Sequence, residues 1–137
     1  MRRLCLALLA TLALAAPLRA DDSAAPAIRD VIRGQIDAFL ADDVERAFSY
    51  ASPGIQGVFR TPENFGRMVR QGYPMVWRPD ELRFLELEER GGALHQRVLI
   101  EDAEGARHLL DYRMEPDGAG GWLIDGVRIL DAPEVAA

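Results

Sequence analysis

From Ala25 to Ala41 the residues Ile28, Val31, Ile32, Gln35, Ile36, Phe39 and Leu40 recur at intervals of three and four, one broad apolar stripe that predicts an amphipathic helix. Asp42 and Asp43 interrupt it, Val44 to Tyr50 reads as a short second helix, and Ser52-Pro53-Gly54 stops that one. Thr61-Pro62-Glu63 has the signature of a third helix start, because threonine caps free amides and proline suits the first helical position. Phe65, Met68 and Val69 supply that helix's buried face. Pro74 and Pro79 then bracket an extended connection bearing Tyr73 and Trp77.

From Glu81 onward the hydrophobic period changes to two. Breaks at Gly91-Gly92, Gly105 and Gly118 to Gly121 divide the remainder into four strands, which predicts an antiparallel meander. A two-residue Gly91-Gly92 turn pairs Arg90 with Ala93, and a three-residue loop ending at Gly105 pairs Asp102 with Ala106. In that register one face collects Leu85 beside Val98 and Leu110, Leu94 beside Met114 and Trp122, and Ile100 beside His108. The other face aligns Glu86, Arg97 and Asp111, and Glu101 with Arg107, as opposite-charge neighbours. Trp122 and Ile124 share a parity that Val127 and Ile129 do not, so a bulge is expected at Asp125-Gly126. The resulting architecture is α+β: three N-terminal helices packed on a bent four-stranded antiparallel sheet, a half-cone.

The start of the chain has a different character. Met1-Arg2-Arg3 is basic, Leu4 to Leu18 is uncharged, and Leu18-Arg19-Ala20 ends in a small residue, the anatomy of a cleaved export signal. Those 15 uncharged residues would span roughly 22 Å as a helix, short of the roughly 30 Å of bilayer hydrocarbon. The expected layout is a signal peptide at 1–20, a disordered segment at 21–27, a folded domain at 28–131 and a tail at 132–137, in a periplasmic or secreted protein. Cleavage also removes Cys5, the only cysteine. It leaves 13 arginines against 22 acidic residues, a charge of −9, which disfavours nucleic acid and anionic membrane surfaces. The absence of lysine excludes Schiff-base chemistry.

The order of these parts resembles the nuclear transport factor 2-like superfamily, which includes ketosteroid isomerase-like and SnoaL-like proteins. More narrowly, Ile28 to Ile32, Gly57 to Phe65 and Gly121 to Leu130 resemble an exported bacterial family, domain of unknown function 4864. The narrow family implies a fold and no activity. The superfamily implies a cone with a cavity closed by the helices, and a dimer through the outer sheet face. Its isomerase pattern of a carboxylate base with an enolate-stabilising tyrosine and acid is not met here. The first helix has no tyrosine, and Asp42 and Asp43 fall in a helix break, so no catalytic residue carries over.

Six polar or aromatic residues are candidate contacts for a ligand in such a cavity: Gln35, Tyr73, Trp77, Gln96, His108 and Tyr112. Two readings stand side by side. In one, Gln96 bonds Tyr112 in a satisfied core and His108 packs at an edge; in the other, these groups orient a ligand and Tyr73 and Trp77 form its mouth. The first functional expectation is an apolar small-molecule binder. The alternatives are an isomerase- or lyase-like enzyme with His108 as base, and a dimeric interaction protein with a filled core. No metal or cofactor is expected, because His95 and His108 point to opposite faces and Glu101 to Gly105 lacks calcium-loop spacing. Asp111 and Asp125 read as a paired, outward-facing charge cluster. Phe84, Leu99 and Leu109 form an outer apolar patch suited to a homodimer.

Overall fold

A computed structural model describes residues 20–130, with side chains from Ser23 onward. The leader up to Arg19 and the tail from Asp131 lie outside the described residues. Helix α1 (Ala20–Leu40) is followed by α2 (Val44–Ser49), α3 (Pro53–Phe59), α4 (Pro62–Gly72) and α5 (Pro74–Trp77), and then by β1 (Pro79–Arg90), β2 (Ala93–Asp102), β3 (Arg107–Pro116) and β4 (Trp122–Leu130). The strands form one antiparallel sheet in the order β1-β2-β3-β4. Among the described residues no helix is long and apolar enough to cross a membrane.

The helices differ from the expectation in three ways. Helix α1 begins at Ala20 and runs through Pro26, so residues 21–27 are helical rather than disordered, with Ala24 buried. Among the described residues five helices replace the expected three. Ser52-Pro53-Gly54 does stop α2, but Ser52 also accepts a hydrogen bond from the Ile55 amide and Pro53 takes the first helical position, so the same residues start α3. Likewise Pro74 opens the one-turn α5 where an extended connection was expected. The Thr61-Pro62 start of α4 is as the sequence predicts, with the Thr61 hydroxyl accepting from Asn64 N.

The β2–β3 register is the one that the turns imply, including Gln96 opposite Tyr112 and Arg97 opposite Asp111. Gly91 and Gly92, at φ +59° and +81°, adopt the left-handed turn that glycine permits, and Arg90 pairs with Ala93. Strand β4 carries the expected bulge: Arg113 pairs with Gly126 and Met114 with Ile124, leaving Asp125 as the extra residue. Trp122 accordingly pairs with Pro116, two residues beyond Met114, the neighbour expected for it. Strand β1 has a second bulge that the sequence reading missed. Phe84, not Leu85, lies opposite Val98, and Leu87 lies opposite Gln96, so Leu85 and Glu86 together face Arg97. The Gln96 Nε2 group clamps this bulge by donating to the Leu85 and Glu86 carbonyls at 3.0 and 3.3 Å.

The core lies between α1 and the helix-facing sheet surface. Ile28, Ile32, Ile36, Ala38 and Phe39 meet Val98, Ile100, Leu110, Tyr112, Met114 and Ile124, all buried; each fully buried large aliphatic contributes about 1.5–3 kcal/mol. Helices α2 and α4 pack closely, so that a Cβ on Gly66 would come within 2.6 Å of Val44 Cγ1. Because of the β1 bulge Phe84 faces the helices, with the Arg29 and Arg33 guanidinium groups 5.8 and 5.3 Å from its ring centre. The outer row is therefore Arg83, Leu99, Leu109 and Leu130, without Phe84.

Candidate functional site

A cavity of about 210 Å³ lies where α1, α3, α4 and α5 meet β4. The bulge in β4 builds one wall. Ser52 Oγ donates to Asp125 Oδ1 at 2.7 Å, Ser52 N donates to Ile124 O, and Ile124 N donates to Tyr50 O. The α2–α3 connection is thereby tied to the bulged strand, and the N-terminus of α3 is held beside it. Ile55 and Phe59 of α3, Phe65 and Val69 of α4, and Ile124 and Val127 of β4 then supply apolar walls. The aromatic rings interlock: Phe65 lies 5.8, 5.4 and 5.6 Å from Phe39, Phe48 and Phe59, centre to centre.

Of the six predicted contacts the structure brings two, Gln35 and Tyr73, to this cavity. Both already have partners: Gln35 Nε2 donates to Ala47 O at 3.1 Å, and the Tyr73 hydroxyl donates to Val127 O at 3.0 Å. Trp77 is not at a mouth. Its ring is buried against Phe39 and flanked by Arg70 and Arg78, each guanidinium 4.8 Å from the ring centre. Gln96 and Tyr112 are fully buried in the sheet's inner face and do not bond one another; Gln96 Nε2 serves the β1 bulge and the Arg97 carbonyl instead. His108, beside Ile100 toward the far end of the same face, holds Asp102 through its Nε2 at 2.8 Å.

The electrostatics separate these groups further. The hydrogen bond from His108, followed by the amides of Ala106 and Glu104, keeps the Asp102 carboxyl below its ordinary value. Burial pushes the Tyr112 phenol well above its ordinary value, and the Tyr73 phenol adds to the rise, so Tyr112 stays neutral. On the outer face Asp111 is buried beside His95 Nδ1 at 2.9 Å and the guanidinium groups of Arg90, Nη2 at 2.8 Å, and Arg128, at 4.0 Å. Asp125 pairs with Ser52 and with Arg113 at 3.4 Å. These two carboxylates thus have separate partners, but Arg97, the neighbour that the charge pattern offered to Asp111, pairs with Glu86 instead. Among the described residues no group of three His, Cys, Asp or Glu side chains is placed to hold a metal ion.

Sequence reasoning missed most of the cavity wall. Ile55 and Phe59 belong to a helix that the sequence reading left out, and Phe65 and Val69 were assigned to the core. Their signal was the Ser-Pro start at residues 52 and 53, which resembles the Thr-Pro start at residues 61 and 62.

A search of curated proteins found no match to the chain. The family described as a domain of unknown function (DUF4864) matches residues 21–137, and the chain belongs to that family.

Proposed function

We propose that this member of the DUF4864 family is an exported binding protein with a nuclear transport factor 2-like half-cone, which holds a small apolar molecule without transforming it. The carrying observation is the cavity itself. At about 210 Å³ it exceeds the roughly 150 Å³ that suffices for benzene, and it sits below the roughly 300–1,000 Å³ of drug-sized pockets, which suits a ligand of about ten heavy atoms. Its walls support binding over turnover, because Gln35 and Tyr73 are committed to backbone carbonyls and the other lining side chains are apolar. The bulged sheet with all its helices on one face supports the half-cone, and the basic-then-apolar leader supports export.

A second reading concerns the outer face, where Leu99, Leu109 and Leu130 form one continuous row across β2, β3 and β4. No helix among the described residues packs there, which favours a homodimer through this row. Native mass spectrometry of the protein purified gently from its own envelope tests both readings. A mass starting at Asp21, carrying a small molecule that is lost in Ile55→Trp, is the expected result; a bare wild-type mass overturns the binder. A doubled mass that becomes single in Leu99→Asp is expected for the dimer, and a single wild-type mass overturns it.

A further inference from the structure

Two buried polar atoms in the helix-facing sheet surface have no hydrogen-bond partner among the described residues: the Tyr112 hydroxyl and the Gln96 Oε1. Both side chains are 0% exposed, and the two residues are direct cross-strand neighbours. An unpaired donor beside an unpaired acceptor in a core is costly and uncommon. Gln96 is not free to turn and relieve it, because its Nε2 is committed to the carbonyls of Leu85, Glu86 and Arg97, which fixes the opposite orientation of Oε1.

The position of this pair connects it to the cavity. Tyr112 lies between Gln96 and Val127 in one row of the sheet, and Val127 lines the cavity. The Val127 carbonyl receives the hydroxyl of Tyr73, the other wall residue on that side, which is itself only half-buried. The Tyr73 phenol is near enough to perturb that of Tyr112 electrostatically. Tyr73 and Val127 thus belong both to the cavity wall and to the surroundings of Tyr112, which links the apolar space to the unpaired atoms. None of the lining residues carries a full charge, so an anionic or cationic group brought here would be desolvated without compensation.

We infer that the ligand is a neutral molecule with an apolar body and one terminal alcohol or phenol, whose hydroxyl donates to Gln96 Oε1 and accepts from Tyr112 once Tyr73 gives way. This rests on the binding reading above and specifies its chemical class. A hydroxyl is matched because it gives one hydrogen bond and takes one, as the unpaired acceptor and donor require.

The test compares p-cresol with p-xylene, which have equal heavy-atom counts, by calorimetric titration of the wild type and of Tyr112→Phe. The wild type is expected to bind p-cresol about tenfold more tightly than p-xylene, since the alcohol completes two buried hydrogen bonds. Tyr112→Phe should bind p-xylene unchanged and lose that preference. Its melting temperature should equal or exceed the wild-type value, because the hydroxyl it removes has no internal partner. Gln96 is left intact because its amide clamps the β1 bulge. Equal binding of the two probes by the wild type, or a preference that survives in Tyr112→Phe, overturns the hydroxyl assignment and leaves the apolar binder standing. A melting temperature lowered by several degrees also overturns it, by showing that the hydroxyl is satisfied within the fold. Failure of the wild type to bind either probe overturns the binding reading and this inference with it.

Discussion

Helices α1 and α3 flank the same cavity and are built on opposite terms. Helix α1 buries Ile28, Ile32, Gln35, Ile36, Ala38 and Phe39, whereas α3 buries no residue at all and leaves Val58 70% exposed. What holds α3 is the Ser52 cap tied to Asp125, the Gln56 side-chain amide donating to Phe48 O and Ala51 O, and the partly buried Ile55 and Phe59, while Arg60 closes the helix at φ +71°, a backbone conformation that a side chain disfavours. Yet α3 contributes Ile55 and Phe59 to the cavity. The contrast divides the packing of this small domain, with burial concentrated in α1 and α3 packed more lightly, so α3 is expected to open at lower cost.

The largest test of this division is Ile32→Ala. Deleting a fully buried branched side chain from α1 should destabilise the whole domain by about 2–5 kcal/mol, read from urea melts. A loss below 1 kcal/mol would mean that α1 is not the main stabilising element. Ser52→Ala is the sharper probe. Loss of the helix cap costs about 1 kcal/mol, and the variant also removes the link to Asp125, so amide exchange should accelerate in α3 while α1 keeps its protection. If both helices lose protection together, the two are one cooperative unit and the contrast fails.

Acid provides the smallest effect. Asp102, bonded by His108 and by the amides of Glu104 and Ala106, and Asp117, bonded by the amides of Ala119 and Gly121, both titrate below the ordinary carboxylate value. For a carboxylate with a depressed folded pKa, the stabilisation is present above the ordinary unfolded value near 4 and is lost as pH falls through the lower folded value. The β2–β3 and β3–β4 loops should therefore loosen in that acid window, and Asp102→Asn should flatten the response of the first. Amide exchange followed against pH should show α1 still better protected than α3 throughout; a reversed order would place the acid-sensitive link in the helices instead.

Much of the sheet can be read from residue order alone, because its information is local. A two-residue period assigns the faces, Gly91-Gly92 admits a turn that other residues resist, and the parity change between Ile124 and Val127 exposes the β4 bulge. The β1 bulge escaped because Leu82, Phe84, Leu85 and Leu87 are all apolar, so either parity fills the inner face and only the fit of the helices and the Gln96 clamp selects one. The short α3 and α5 are also tertiary decisions. Segments of seven and four residues lie far below the length at which an isolated helix persists, and they exist here through the Ser52 cap of α3 and the surfaces that both segments meet. Membership of the cavity depends on the same placement. Gln35 and Tyr73 reach it while Trp77, Gln96, His108 and Tyr112 do not line it, since residue order determines which face a side chain occupies but the packing of helices onto the sheet determines where space remains.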